Sequence, residues 1–200
     1  MSIHSSITQS ALDQLFTDAR SHHHWTDEEV SDETLRALYE LAKWGPTSGN
    51  LQPARIVFIR SEEGKRKLYP ALEGMGSNPE QVRSAPVTVI VAQDTRFFDQ
   101  APRLFPRMNV KPMFEADAEF AESIAYRSSS LTGAYLMLAA RGLGLDVCPM
   151  SGFHNAILDE AFFKGTSWKA NFIFTLGHGD HTRLYPRDPR LTFEEACRFE

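Results

Sequence analysis

Hydrophobic positions first follow a helical register. From Ala11 to Ala19 the apolar residues Ala11, Leu12, Leu15, Phe16 and Ala19 share one helical face. A second helix is predicted to start at Ser31, whose hydroxyl can cap the first turn while Asp32 and Glu33 suit the positive end of the helix dipole. Its apolar face is Leu35, Leu38, Tyr39, Leu41 and Ala42, and Gly45-Pro46 stops it because proline cannot continue the ladder. The register then changes. Ile56–Ile59, Val87–Ala92 and Phe172–Leu176 are short runs of β-branched and aromatic residues that read as buried strands. Pro86 opens the second, a position where a strand tolerates proline, and Gly177-His178-Gly179-Asp180 closes the third. Glu62–Leu72, between the first two strands, reads as a helix exposed on one side.

Two segments break the pattern in opposite ways. Residues 95–114 hold prolines 102, 106 and 112 and phenylalanines 97, 98, 105 and 114 without a period, which predicts an irregular covering element rather than core. The segment from about Glu119 to Leu143 has no charge between Leu131 and Ala140, and small residues recur along it. A helix apolar or small on all sides must be buried on all sides. It reads as a central core helix, or more sharply as one that also forms a subunit interface, where small residues let backbones approach. The fold class that follows is α+β, a small mixed sheet surrounded by helices.

Composition narrows the function. Of 200 residues, 42 % are hydrophobic and 24 % charged, the balance of an ordinary globular protein and not of a disordered one. One domain over residues 1–200 is expected, with a core large enough to need no metal or disulfide. The formal net charge is −5 with no basic block, so nucleic acid is excluded as a partner, since phosphate neutralisation needs clustered Lys and Arg. Met1–Ser10 has neither a basic n-region nor an apolar h-region. The longest apolar stretch, Leu131–Ala140, is half the ~20 residues of a membrane span. Cys148 and Cys197 form no spaced framework. Together these predict a cytoplasmic protein with no membrane contact.

Four polar stretches carry the candidate chemistry. Arg20-Ser21 places a guanidinium beside a hydroxyl, a pair that suits phosphate through charge-assisted hydrogen bonds, against the plainer reading of a surface loop. His22, His23 and His24 follow. Adjacent residues point in different directions and no Cys-x-x-Cys or His-Glu-x-x-His spacing exists, so no metal is expected, although His178 and His181 are available in principle. Lys43–Pro53 is a loop of hydroxyls, amides and turn formers able to hold a polar ligand, or equally a plain helix-to-strand turn. Gly142-Leu143-Gly144 lacks the third glycine and the preceding strand of a dinucleotide fingerprint. Downstream, Pro149-Met150-Ser151-Gly152 could aim backbone N–H groups at a ligand, with Gly152 allowing close approach. Cys148 reads as a buried thiol and not a nucleophile. Arg187 and Arg190 are solvated unless they return to the phosphate proposed for Arg20. No nucleophile elbow or P-loop is present.

The order of these stretches is more specific than any one of them. Phe-Thr-Asp-Ala-Arg at 16–20, Lys-Trp-Gly-Pro-Thr-Ser at 43–48, Pro-Met-Ser-Gly-Phe at 149–153 and Pro-Arg-Leu-x-Phe-Glu-Glu-Ala-Cys at 189–197 resemble the nitroreductase family of FMN-dependent NAD(P)H oxidoreductases, and within it the malonic semialdehyde reductase branch. The resemblance spans essentially the whole chain. It implies a homodimer with a long interface helix and one FMN in each of two sites at the subunit interface. Carried over by position, Arg20, Ser21 and His22 would lie near the phosphate and ribityl chain, with Arg190, and less securely Arg187, closing on the phosphate. Pro46, Thr47, Ser48 and Asn50 would line the ring or ribityl, one stretch reaching from the partner. Pro149, Met150, Ser151 and Gly152 would pass beside the ring. Hydride would come from NADH or NADPH, with the flavin carrying the chemistry at its N5 and no side chain required as a catalytic acid; water or a hydroxyl such as Ser48 would protonate an aldehyde acceptor. The implied acceptor is 3-oxopropanoate (malonic semialdehyde), or alternatively nitroaromatics and quinones, and residues 97–114 are the candidate lid. Two rivals remain open from the residues: a flavin-binding module without turnover, and a metal hydrolase built on the histidines. The chain departs from much of the family in having histidines where a second basic residue follows Ser21, and Ser151 where many members have Glu.

Overall fold

A computed structural model describes residues 5–200, so the first four residues of the Met1–Ser10 stretch lie outside the described part. The chain opens with α1 (Gln9–Leu12), which widens into one π-helical turn over Asp13–Thr17. The helix expected for 11–19 therefore starts earlier and ends before Asp18. Next comes α2 (Asp32–Ala42), capped by the Ser31 hydroxyl accepting from Thr34 N–H at 3.1 Å. Leu35, Leu38 and Ala42 are buried as predicted, but Tyr39 and Leu41 face outward. Four elements follow: β1 (Ala54–Ile59), α3 (Glu62–Leu68) with a 3-10 turn at Tyr69–Leu72, α4 (Asn78–Ser84) and β2 (Val87–Asp94). Short helices α5 (Ala101–Leu104) and α6 (Lys111–Ala116) lead into the 25-residue α7 (Ala118–Gly142). The chain closes with β3 (Asp146–Met150), α8 (Asn155–Phe163), β4 (Trp168–Gly177) and α9 (Phe193–Ala196).

The strands form one sheet in the order β1-β2-β4-β3, and every strand pair is antiparallel. Among the described residues the expected mixed sheet survives only as a single parallel bridge between Ser21 and Val147. β2 is buried along its whole length because it is central and covered on both faces. Its side chains alternate accordingly. Val87, Val89 and Val91 join Leu38, Leu136, Phe174 and Leu176 beneath α2 and α7, while Ile90 and Ala92 join Leu68, Leu72, Val82, Leu158 and Ile173 on the opposite face. β1 is an edge strand and only half-buried, unlike the fully buried strand predicted for 56–59.

Residues 97–114 correct another expectation. Phe97, Phe98, Ala101, Val110 and Phe114 form a third core cluster with Leu51, Ala121 and Ala125. The Phe98 and Phe114 rings stack with centroids 5.9 Å apart, and Phe97 meets both edge-on. Its longest exposed run is Pro106–Asn109 at the tip. The segment is irregular, as its prolines imply, yet it is core.

The long helix lies across the sheet but is not enclosed. Ala121, Ala125, Ser128, Ser129, Gly133, Leu136 and Ala140 are buried. Leu131 is 48 % exposed, and Tyr126, Ala134 and Tyr135 share that openness. Among the described residues no helix is long and apolar enough to cross a membrane.

Candidate functional site

The turn after α1 docks on the β3 edge of the sheet. Ser21 bridges Val147, and His22 N–H donates to the Val147 carbonyl at 3.3 Å. Thr26 N–H donates to His178 C=O at 2.8 Å and Asp180 N–H to His24 C=O at 2.9 Å, so residues 20–26 run as an extra rung past the ends of β3 and β4. The C-terminal arm returns to the same place. Arg20 donates to the Tyr185 carbonyl, and Arg187 donates to the carbonyls of Thr17 and Ala19 at 2.8 and 3.3 Å. Arg190 instead donates to Asp188 and Pro189 within its own loop. The second guanidinium brought beside Arg20 and the exposed Ser21 is thus that of Arg187.

His22 sits differently from its position-by-position expectation. It is 1 % exposed, with its ring turned inward against Asp146 and His181. Burial lowers its pKa, against the opposing pull of Asp146. His23 packs edge-on against Tyr185 with centroids 5.4 Å apart, and burial lowers its pKa too. The Cys148 thiol is buried and donates to Gln81 Oε1 at 3.1 Å, and burial pushes its pKa up to about 11, which leaves no thiolate for nucleophilic work.

Pro149 and Met150 close β3 and Ser151–Gly152 continue from it, with Pro149 and Ser151 exposed and Met150 buried in the core. Gly152 has a structural reason other than the one expected. A Cβ there would meet Asn78 Nδ2 at 2.9 Å, and the same Nδ2 donates to the Gly152 carbonyl at 2.8 Å. The glycine admits a neighbouring side chain, so its type alone carries no argument for a ligand.

The loop before β1 is built at the other edge. Gly49, Asn50 and Gln52 all have positive φ, of 54°, 54° and 45°, and the two non-glycines each carry backbone strain of about 1–3 kcal/mol. A local network holds them there. Gln52 N–H donates to Thr47 Oγ1 at 3.2 Å, Ser48 N–H to Ser128 Oγ at 3.3 Å, and Asn50 Nδ2 to the Leu104 carbonyl at 3.0 Å. Pro46, Ser48 and Asn50 are left exposed. A cavity of about 340 Å³ opens beside them, lined among others by Lys43, Thr47, Gln52, Arg55, Arg103 and Thr132. Lys43 opens the loop singled out from sequence, whereas Arg55 and Arg103 were not among the candidate residues.

The two halves do not meet within one chain. That cavity contains none of Arg20, Ser21, Pro149, Met150, Ser151 or Gly152. The loop enters the sheet at Ala54, opposite Gln93 of β2, whereas the 20–26 turn joins at Val147, in the row of Leu176 and Val87. Three strand spacings separate them by roughly 14 Å across the sheet, and six residues of β2 by roughly 20 Å along it.

Comparison with known proteins places this arrangement. The chain matches the model of the nitroreductase family over residues 17–178. Its fold is similar to that of ydfN from Bacillus subtilis, described as a nitroreductase, with a TM-score of 0.85 at 22 % identity, covering 96 % of this chain and 100 % of that one. A nitroreductase from Exiguobacterium sibiricum, solved in complex with FMN, matches with a TM-score of 0.83 at 25 % identity over 98 % and 100 % of the two chains. A Staphylococcus epidermidis protein described as an NAD(P)H:FMN oxidoreductase matches with a TM-score of 0.82 at 19 % identity over the whole of both.

Proposed function

The chain belongs to the nitroreductase family, and on that premise we propose that it is an FMN-dependent oxidoreductase, a cytoplasmic homodimer that uses NADH or NADPH to reduce a small acceptor. The donor set fits such a cofactor. The guanidiniums of Arg20 and Arg187 with the Ser21 hydroxyl suit a phosphate through charge-assisted hydrogen bonds. Pro46, Thr47, Ser48 and Asn50, contributed by the second copy, would line the ring and ribityl chain, while Pro149–Gly152 would pass beside the ring. When bound, FMN would supply the two-electron redox chemistry that links a nicotinamide donor to the acceptor.

The chain's own work is to orient and enclose. Backbone N–H groups at Ser151 and Gly152 would favour developing negative charge, as preorganised dipoles do elsewhere. The exposed tip after α5, anchored where Asn50 holds the Leu104 carbonyl, would shape the acceptor pocket and exclude water. For an aldehyde acceptor, the proton for the new hydroxyl comes from water or from the exposed Ser48 hydroxyl. The four motifs that resemble the malonic semialdehyde reductase branch favour 3-oxopropanoate, reduced to 3-hydroxypropanoate. Membership of the nitroreductase family favours nitroaromatics and quinones no less.

One observation carries this reading. Two polar surfaces lie at opposite edges and opposite ends of one sheet, and neither alone gathers the residues assigned to the cofactor. The test is anaerobic spectroscopy of the purified protein. A flavin spectrum bleached by NADH or NADPH is expected, followed by turnover with 3-oxopropanoate, a quinone and a nitroarene to rank the acceptors. In the same assay Arg20→Ala should bind FMN about 10- to 100-fold more weakly, the worth of one or two charge-assisted bonds, with a near-native melting temperature. A yellow protein that neither nucleotide bleaches would mark a flavin-binding module, and a colourless one would overturn the proposal.

A further inference from the structure

We propose that His22, Asp146 and His181 form a site for one divalent transition-metal cation of the zinc class, which pins the 20–26 turn to the exit of β4. His22 Nδ1 lies 3.2 Å from Asp146 Oδ1, and His181 Nε2 lies 3.5 Å from Asp146 Oδ2. One ligand atom from each of the three residues lies within 4.8 Å of the others. Zinc bound tetrahedrally at about 2.0–2.2 Å holds its ligand atoms roughly 3.3–3.5 Å apart; each histidine already stands near that distance from one of the two Asp146 oxygens, so a small closing movement would bring one atom of each residue onto a shared cation. Two imidazoles and a carboxylate are the donor types that a borderline cation selects.

A second observation points the same way. His22 is 1 % exposed, yet neither of its ring nitrogens is well enough aligned to hydrogen-bond a partner among the described residues; the backbone of Arg20 and the Asp146 carboxylate are the polar groups beside it. Nδ1 is close to the carboxylate without the alignment of a hydrogen bond, as occurs when two atoms face a shared third position instead of each other. The ring has no room to turn elsewhere. Gly179 closes over it so tightly that a Cβ there would sit 2.2 Å from His22 Cδ2. A buried imidazole left unpaired is costly, and a cation at this position would satisfy it. Asp146 is oriented by Gly179 N–H, which donates to Oδ2 at 3.0 Å, the kind of outer contact that fixes a carboxylate ligand. His181 is exposed, which leaves the solvent side open for a water as the fourth ligand. The positive charges that act on the cluster, Arg20 and Arg141, turn their guanidiniums to the carbonyls of Tyr185 and Leu15. No spacing motif announces the site, because its members are separated by most of the chain.

The test needs no flavin and no turnover, so its result is independent of the proposed activity. Full-length protein is stripped with a chelator and titrated with Co²⁺, with visible d–d absorption and bound metal per chain as readouts. Zn²⁺ is then added to displace the Co²⁺. One Co²⁺ per chain with a visible band that zinc abolishes is expected. His181→Ala, a surface substitution that leaves the core intact, should weaken binding at least about tenfold. His154→Ala, remote from the cluster, should change nothing. Absence of the band in the wild type overturns the site. So does a band that His181→Ala keeps, or one that His154→Ala removes.

Discussion

The Cys148 thiol is held against Gln81 Oε1 inside the sheet edge, and burial pushes its pKa up to about 11. At pH 8 only about one such thiol in a thousand is ionised, and the thiolate is the reactive form. Cys197 is free and exposed. A maleimide added to the folded protein at pH 8 should therefore modify one thiol per chain, Cys197 by peptide mapping, and two after denaturation. Rapid double labelling of the folded protein would contradict the burial. At this scale residue type was a good guide for Cys148 and a poor one for its neighbours. Arg187 and Arg190 are chemically identical in sequence, and only the path of the arm decides that Arg187 reaches the Thr17 and Ala19 carbonyls while Arg190 folds back on its own loop. His22, His23 and His24 likewise differ only in which side of the docked turn each faces. Asp146 reads as one polar residue in a glycine-rich stretch until β3 carries it to His22.

Among elements, the most strongly patterned were the easiest to read. α2 was expected from its cap and apolar face, and α7 from a charge-free stretch of small residues; both are present, with shifted ends and less burial than expected. β3 was missed because Asp146 and Pro149 argue against a strand. The sheet tolerates that proline because β3 is an edge strand, where a missing N–H breaks no second ladder. The 97–114 segment showed no period because its buried aromatics sit on separate helices of one or two turns, with Pro102 and Pro112 in the first turn of two of them. The small residues of α7 prove specific. A Cβ at Gly133 would lie 2.4 Å from Phe172 Cζ and 3.4 Å from Val91 Cγ1, so the helix backbone rests directly on an aromatic edge of the sheet. Gly133→Ala gains helix propensity, worth about 0.8–1.0 kcal/mol, but overpacks this contact at a cost of about 1–3 kcal/mol. The contact should win. A urea titration is expected to show a net loss, and an increase in stability would mean that Phe172 moves aside freely.

At the scale of the whole molecule, the single chain leaves unfinished surfaces. Leu131 and Tyr135, one helical turn apart on α7, face outward, Trp44 at the end of α2 is 80 % exposed, and Leu191, Phe193 and Phe199 of the C-terminal arm are uncovered. A second copy laid against α7 would cover such a face and could bring its Pro46–Asn50 loop to the Arg20–Ser21 turn across a distance no one chain bridges. Subunit contact and flavin binding are then one property. Leu131→Glu tests that coupling, because an unpaired carboxylate at a closed apolar contact costs several kcal/mol, whereas on an exposed helix face it costs almost nothing. The wild type should sediment at twice the 22.6 kDa of the chain and carry its yellow colour. The variant should sediment as a monomer with unchanged far-ultraviolet dichroism, and its FMN should be lost with the partner. A folded monomer that stays yellow would show that one chain holds the cofactor alone, and the argument from opposite edges of the sheet would fail.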